Sequence, residues 1–197
     1  MQDIRSSDPK ALVRALFAPI AEDMAAVDAI IRKELDSDVP RMREIGEHIV
    51  SAGGKRMRPA LLMLICRALG YEGELHRYLG ATIELLHTAT LMHDDVVDES
   101  AVRRGKPTAN ALWGNGVAVL VGDFLYTRSF QMMIRAGNLR VMRALADAAN
   151  TLAEGEVKQM VNAHDPTVDE KRYFEVIERK TACLFEAGAK MAAAIAD

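Results

Sequence analysis

The sequence is poor in cysteine and aromatic residues and carries no block of basic charge. Of its 197 residues, two are cysteines and 5% are aromatic, and the net charge is −3. The cysteines, Cys66 and Cys183, lie far apart in apolar surroundings, which excludes a disulfide framework and indicates reduced core thiols. A net charge of −3 gives no electrostatic basis for binding nucleic acid, so no nucleic-acid partner is expected.

Long apolar segments are also missing. The longest apolar runs are far shorter than the roughly 20 residues that a transmembrane helix needs. The first ten residues, MQDIRSSDPK, lack the charged-then-apolar pattern of a signal peptide. We therefore expect a cytoplasmic protein with no membrane span.

Apolar residues recur at spacings of three and four almost throughout, whereas strict alternation is rare. Half of the residues are hydrophobic, and Ala, Leu and Met are abundant, so the pattern predicts an all-α fold. We interpret residues 1–197 as a single helical domain, with Asp8 as candidate N-cap of the first helix. The segment 103–108, RRGKPT, is expected to be a loop. Further helices are predicted over 39–51, 59–69, 74–98, 117–136, 139–164 and 169–197.

An acidic cluster lies at the end of the helix predicted over 74–98. Residues 91–100 read LMHDDVVDES. Asp94 and Asp98 are four apart, so on a helix they share a face about 6 Å apart along the axis, with Asp95 beside them. Carboxylates on a mostly apolar helix are costly unless they are paired. The pattern fits either a solvated helix end or a site for Mg²⁺, which binds one or two carboxylates together with phosphate oxygens.

Two basic segments would complete a site for a metal-bound diphosphate. One is GGKRMRP, beginning at Gly53, and the other is RRGK, which follows the acids. Glycine lets the backbone approach a ligand closely, and arginine matches phosphate oxygens. Each segment alone is typical of surface charge. The basic side chains are Lys55, Arg56, Arg58, Arg103, Arg104 and Lys106.

Five segments, in this order, resemble the trans-prenyltransferases, the family of polyprenyl diphosphate synthases. They are GGKRMRP, HTATLMHDDVVDESAVRRGKPTAN, VLVGDFLYTRSFQ, EGEVKQM and KTACLFEAG, and they extend from about Gly53 to Gly188. DDVVD corresponds to the family's first aspartate-rich motif, and the likeness is greatest to bacterial octaprenyl and other long-chain synthases that make quinone side chains. The resemblance implies an antiparallel helical bundle around a central cavity, the isoprenoid synthase-like fold.

The resemblance also implies a reaction. Isopentenyl diphosphate would be condensed with an allylic diphosphate, farnesyl or geranyl, to give a long-chain all-trans polyprenyl diphosphate. The hard step is departure of diphosphate, which metal ions and a dry apolar cavity assist.

Residue roles follow from the matching motifs. Mg²⁺ would be bound by Asp94, Asp95 and Asp98, and the catalytic set would be completed by Arg103 and Lys180. The isopentenyl diphosphate would be held by Lys55, Arg58, His87 and Arg104. The allylic substrate would be held by Arg103, Lys180 and Thr181. A motif on the cavity wall contributes Glu156 and Gln159, of which Gln159 is expected to contact substrate.

Small residues near the acids bear on product length. Thr90 lies one helical turn below Asp94, and Ala89 lies about 7.5 Å below it along the axis. In the resembling short-chain enzymes, bulky aromatic residues near these positions form a floor that stops the growing tail. We expect an open shaft past Leu86 and a long product, although small residues can also simply permit close helix packing.

The chain departs from the family in one respect. The family has a second aspartate-rich motif, preceded by Phe-Gln, downstream of KTACLFEAG, and this sequence has none before Asp197. The last residues, KMAAAIAD, have the pattern of a helix interior. We therefore expect a chain truncated before its C-terminal helices, with little or no synthase activity alone, whose complete form is a homodimer.

Three other functions remain open. A non-catalytic helical subunit could dimerise with a complete synthase, although DDVVD is intact. A metal phosphohydrolase of the His-Asp type would use His93 and Asp94, but it leaves four of the segments without a role. A carboxylate-bridged di-iron bundle needs two Glu-x-x-His motifs, and only one, from Glu84 to His87, is present.

Overall fold

The computed structural model describes residues 9–197, which are almost entirely helical. The candidate N-cap Asp8 lies outside the described residues. None of the described helices is long and apolar enough to cross a membrane. The helices within 9–197 are α1 (Pro9–Phe17), α2 (Ala21–Glu34), α3 (Pro40–Ser51), α4 (Met57–Ala68), α5 (Leu75–Val97), α6 (Ala109–Trp113), α7 (Asn115–Arg135), α8 (Leu139–Asn162), α9 (Glu170–Ile177) and α10 (Cys183–Ala196).

Local sequence signals explain where several helices begin. Pro40 is the first residue of α3, a position where the missing N–H of proline costs nothing. Asn138 caps α8, since its side-chain oxygen accepts hydrogen bonds from the backbone N–H groups of Arg140 and Val141 at 2.9 and 3.2 Å. Asp169 caps α9 in the same way. These caps satisfy backbone donors that a helix leaves unpaired at its start.

The predicted helix that begins after Asp8 and the helix predicted over 59–69 both differ from the observed structure. A 3₁₀ turn, Ala18–Ile20, separates α1 from α2 at Pro19, because proline has no N–H to continue an α-helix. Helix α4 begins at Met57, ahead of the predicted start at Pro59. Proline is tolerated there because it still lies in the first helical turn.

The predicted loop over 103–108 contains a two-stranded antiparallel hairpin. Strand β1 (Val102–Arg103) pairs with β2 (Lys106–Pro107). The connecting residues Arg104 and Gly105 have φ angles of 53° and 77°, as the common two-residue hairpin turn requires. Arginine rarely adopts a positive φ, so contacts from elsewhere in the protein must hold this turn.

The core of the protein surrounds α5. This helix packs against α2, α4, α7 and α10 and also contacts α6. Its largest fully buried side chains are Leu79, Ile83, Leu85 and Leu86, each of which contributes roughly 1.5–3 kcal/mol through burial. The acids therefore lie at the end of the most deeply buried helix.

Both cysteines are free and buried, as the sequence predicts. Cys66 lies in α4 and is 1% exposed, and Cys183, the first residue of α10, is 7% exposed. Burial raises the pKa of the Cys66 thiol to about 11. Burial also raises the pKa of Cys183, so both thiols are protonated at neutral pH.

Candidate active site

Three acids stand at the C-terminal end of α5 in different environments. Asp94 and Asp95 belong to the last helical turn, whereas Asp98 follows it as the C-cap residue. The side chains of Asp94 and Asp95 are 14% and 9% exposed, and Asp98 is exposed. Two of the three predicted metal ligands are thus largely shielded from water, and the third lies on the surface.

Asp95 is paired with the hairpin. Nε of Arg103 donates a hydrogen bond to Oδ1 of Asp95 at 2.8 Å, and Nη2 of the same guanidinium lies 2.7 Å from that oxygen. The side-chain amide of Asn110 donates to the backbone carbonyls of Asp95 and Ser100 at 3.2 and 3.0 Å. These contacts join β1 and α6 to the end of α5 and help to hold the hairpin turn.

Asp94 shares one cation with a second carboxylate. The Nζ atom of Lys180 lies 2.6 Å from Oε2 of Glu156 and 3.6 Å from Oδ2 of Asp94. Burial raises the pKa of Asp94 to about 6, and the negative charge of Glu156 adds to this effect, which Lys180 only partly opposes. Because one lysine, Lys180, faces both Asp94 and Glu156, these three side chains together carry a net negative charge when both acids are ionised.

Lys180 and Thr181 lie in a π-helical turn, Glu178–Ala182, that connects α9 to α10. The helix predicted over 169–197 is therefore interrupted, and the residue pattern does not predict this interruption. Turns of this kind often occur at functional sites. Lys180 is half-buried and directed to Asp94, whereas Thr181 is exposed.

An open cleft of about 460 Å³ collects the predicted isopentenyl diphosphate residues. All four of them line it, namely Lys55, Arg58, His87 and Arg104. The pKa of His87 falls to about 3 because of burial and the positive charges of the neighbouring arginines, Arg58 first among them. His87 is therefore neutral at pH 7, and the positive field that keeps it neutral favours an anion in the cleft.

Arg56 and Arg58 differ in their partners. Arg56 is neutralised by Asp28 at 3.1 Å and by buried Glu84 at 2.8 Å. Arg58 forms no ion pair within residues 9–197; its guanidinium lies 4.8 Å from the ring centre of Phe185, and its buried Nε has no hydrogen-bond partner. Arg58 thus retains its charge for a ligand. Glu84, engaged by Arg56, is not free to serve as a ligand in a di-iron site.

Two residues shape this cleft in ways that the sequence pattern did not predict. A Cβ atom at Gly54 would lie 2.6 Å from Nη1 of Arg104, so glycine makes room for that guanidinium. The glycine pair at 53–54 was the available signal, although its meaning depends on the fold. Phe185, beneath Arg58, lies within a matched motif but carried no signal of its own.

A second cavity, of about 240 Å³, lies beside Asp94 and Glu156. Apolar side chains from α5, α7 and α8 form most of its wall, and two acids stand in it. Representative lining residues are Leu86, Thr90, Asp94, Tyr126, Leu152 and Glu156. Tyr126 was not foreseen as a wall residue.

The predicted product-length residues divide between two environments. Leu86 and Thr90 line the second cavity. Ala89 is 0% exposed and is not part of that lining among the described residues. A helix rotates about 100° per residue, so Ala89 points about 60° away from Leu86. The role of Ala89 in product length stays a prediction, and in the structure its small side chain lies in the buried core.

Gln159 is half-buried on α8 and lines neither of these two cavities in the described structure. Within residues 9–197, no group of three or more His, Cys, Asp and Glu side chains is arranged to hold a metal ion. The acids near Lys180 therefore do not form a complete metal site from protein ligands.

Comparison with known proteins agrees with this arrangement. A family model described as polyprenyl synthetase matches residues 39–197, and the chain belongs to this family. Octaprenyl diphosphate synthase of Escherichia coli K12 is 54% identical over 176 residues, which cover 89% of this chain and 54% of that protein. The chain spans about half the length of the curated relatives it matches.

Solved structures show the same fold. A decaprenyl diphosphate synthase from Rhodobacter capsulatus superposes with a TM-score of 0.90 at 50% identity, over 93% of this chain and 57% of that one. A polyprenyl synthase from Caulobacter crescentus CB15, in complex with calcium and isoprenyl diphosphate, gives a TM-score of 0.91 at 41% identity, over 93% and 56%. The predicted all-helical fold and the family resemblance are confirmed.

Proposed function

We propose that the protein acts as a chain-elongating prenyltransferase. It would condense isopentenyl diphosphate with an allylic diphosphate, farnesyl or geranyl, to give a long-chain all-trans polyprenyl diphosphate for quinone side chains. One observation carries the proposal. A cleft in which Lys55, Arg58 and Arg104 form no ion pair with any described residue lies beside the same helix, α5, as a largely apolar cavity with the half-buried carboxylate of Asp94 at its wall. The long-chain synthases among its relatives support the product class.

The cleft suits the diphosphate of isopentenyl diphosphate. Lys55, Arg58 and Arg104 supply positive charge, and arginine binds phosphate oxygens through two parallel hydrogen bonds. Neutral His87 offers a further N–H donor. Because Arg58 has no acid partner among the described residues, an anion can bind there without first breaking an ion pair.

The second cavity suits the allylic substrate. Asp94 fits a Mg²⁺ ligand, since its half-buried carboxylate lies in an excess of negative charge that a cation would relieve. Asp95 and Asp98 are the other proposed ligands, and substrate phosphate oxygens and water would complete the shell. When bound, Mg²⁺ stabilises the negative charge that develops on the departing diphosphate.

The protein's own groups complete the allylic site. Lys180 would neutralise a diphosphate oxygen next to Asp94, with Arg103 available from the hairpin and Thr181 and Gln159 as further proposed contacts. Leu86 and Thr90 would hold the hydrocarbon tail and keep water away from the reacting carbon.

Two further features belong to the proposal. A homodimer is supported by exposed apolar side chains on α6 and α7, such as Leu112 and Leu120, which are 48% and 65% exposed. A cytoplasmic location is supported by the two buried free thiols.

Calorimetric titration of farnesyl diphosphate, with and without Mg²⁺, tests the allylic site directly. We expect binding that requires Mg²⁺ and that weakens at least tenfold in Asp94→Asn. Asp147→Asn, which changes an exposed acid on α8, is the matched control and should bind as the parent does. Titration with isopentenyl diphosphate should show a comparable loss in Arg58→Ala. Binding that is indifferent to both Mg²⁺ and Asp94→Asn would refute the proposal.

A further inference from the structure

The backbone of the π-helical turn packs closely against α8 at Gly155. A Cβ atom built at this position would lie 2.7 Å from Cβ of Arg179 and 3.0 Å from both the carbonyl carbon of Arg179 and the backbone nitrogen of Lys180. Two of these three atoms belong to the backbone, which cannot rotate away as the end of a flexible side chain can. An alanine at this position would therefore push the turn away from α8.

The next residue on α8 contacts the same lysine at its other end. Glu156 accepts a hydrogen bond from Nζ of Lys180 at 2.6 Å, and this Nζ lies 3.6 Å from Asp94. Gly155 thus sets how closely the lysine backbone approaches α8, and Glu156 sets where its ammonium group lies.

The turn itself has a widened hydrogen-bond pattern. The backbone N–H of Cys183 donates to the carbonyl of Glu178, five residues earlier, instead of four as in an α-helix. Lys180 lies in the middle of this widened turn, next to Gly155. The position of Lys180 therefore depends on a local irregularity that packs directly against a glycine.

We propose that Gly155 and Glu156 are positioning residues that hold Lys180 at Asp94, where the allylic diphosphate would bind. Gly155 acts by permitting close approach of the backbone, and Glu156 acts by fixing the ammonium group. The inference rests on the proposed function, because Lys180 matters for binding only if the diphosphate occupies that place.

A double-mutant cycle on farnesyl diphosphate affinity in the presence of Mg²⁺ tests the inference. Lys180→Ala should weaken binding about tenfold or more, the size expected for loss of a hydrogen bond to a charged group. Gly155→Ala should weaken it at least fivefold, but should have no further effect when Lys180 is already alanine. Gly116→Ala is the matched control, since a Cβ atom there meets nothing within 4 Å, and it should bind as the parent does.

Glu156→Gln provides a second cycle that adds no volume and remains usable if Gly155→Ala fails to fold. It should weaken binding in the parent background and have no effect in Lys180→Ala. The inference would be overturned if the fold loss of affinity in each double variant equalled the product of the losses in its two single variants. Gly155 and Glu156 would then act independently of Lys180. Unchanged affinity in both Gly155→Ala and Glu156→Gln would overturn it too.

The same titrations separate this inference from the proposed function. Absence of Mg²⁺-dependent farnesyl diphosphate binding by the parent protein would remove both. A tenfold loss in Lys180→Ala, combined with independent effects of Gly155→Ala and Glu156→Gln, would remove only the positioning role.

Discussion

Replacing Asp94 with asparagine should stabilise the folded protein at neutral pH while impairing the proposed allylic site. Asparagine has nearly the same shape as aspartate but carries no charge. In the parent protein the carboxylate is 14% exposed, lies near Glu156, and is close to the C-terminal end of α5, where negative charge is unfavourable. Each of these factors penalises the ionised form.

The size of the effect follows from the pKa of Asp94. It rises from an ordinary value of 3.8 to about 6, and each pKa unit corresponds to about 1.36 kcal/mol, so the ionised form is disfavoured by roughly 3 kcal/mol. Asparagine still buries a polar group and loses the attraction to Lys180, so we expect a net gain of about 1–3 kcal/mol. For a chain of this size the gain corresponds to a rise in Tm of about 3–10 °C.

The gain should depend on pH in a defined direction. Because the folded-state pKa of Asp94 is raised, its contribution to stability is fully present below the unfolded pKa of 3.8 and is lost as pH rises to about 6. Asparagine does not titrate, so its advantage should be largest above pH 6, smaller at pH 5 and absent near pH 4.

Urea unfolding followed by circular dichroism at pH 7.5, 5 and 4, without Mg²⁺, measures this advantage. Asp147→Asn serves again as the exposed control and should change the free energy of unfolding by less than about 0.5 kcal/mol. An Asp94→Asn variant no more stable than the parent at pH 7.5 would contradict the reasoning. A gain equal at all three pH values would contradict it as well, since it would not come from the carboxylate charge.

Three further perturbations test other parts of the structure. Thr90→Phe should fill the second cavity and weaken farnesyl diphosphate binding at least tenfold while leaving inorganic diphosphate binding unchanged. Equal losses for both ligands would show that the phenylalanine ring disturbs the metal site instead. Phe185→Leu should weaken isopentenyl diphosphate binding by about two- to tenfold, since a cation–π contact contributes roughly 0.5–1 kcal/mol or more, and Phe185→Tyr should retain affinity. Arg56→Met should lower the free energy of unfolding by about 3 kcal/mol, because Glu84 is left buried without a partner, and adding Glu84→Leu should recover most of the loss. A cost below about 1 kcal/mol for the single change would mean that water reaches Glu84.

Much of the fold follows from helical spacing, because α5 and α8 each present a continuous apolar face. The predicted helices over 74–98 and 139–164 agree with the observed Leu75–Val97 and Leu139–Asn162 to within two residues. The hairpin was not predictable in the same way. Arg104 must adopt a positive φ that its side chain disfavours. The contact between Arg103 and Asp95 forms only when the chain folds back onto the end of α5.

The candidate site was predictable as far as its motifs extend. Matching segments indicated Lys55, Arg58, His87 and Arg104, and the structure places all four in one cleft. Their roles as ligands remain predictions. What the motifs could not show is which charges are already neutralised, because the pairing of Arg56 with Glu84 is a property of packing between α4 and α5. Likewise, spacing along α5 identified Ala89 as near the acids but could not say which neighbouring helix it faces.

The two buried thiols offer a way to observe local opening of the molecule. Cys66 lies in the interior of α4, whereas Cys183 begins α10, and its Sγ lies 2.7 Å from the carbonyl of Arg179 in the π-helical turn. An alkylating reagent reaches the Cys66 thiol only when its surroundings open, and it reaches the Cys183 thiol, which is 7% exposed, more readily when the turn moves away. The labelling rate of Cys66 therefore reports on opening of the α4 core, while labelling of Cys183 reports on detachment of the turn that carries Lys180. A ligand that contacts Lys180 would slow the labelling of Cys183 more than the labelling of Cys66. The ratio of the two labelling rates therefore measures motion of the turn at the site.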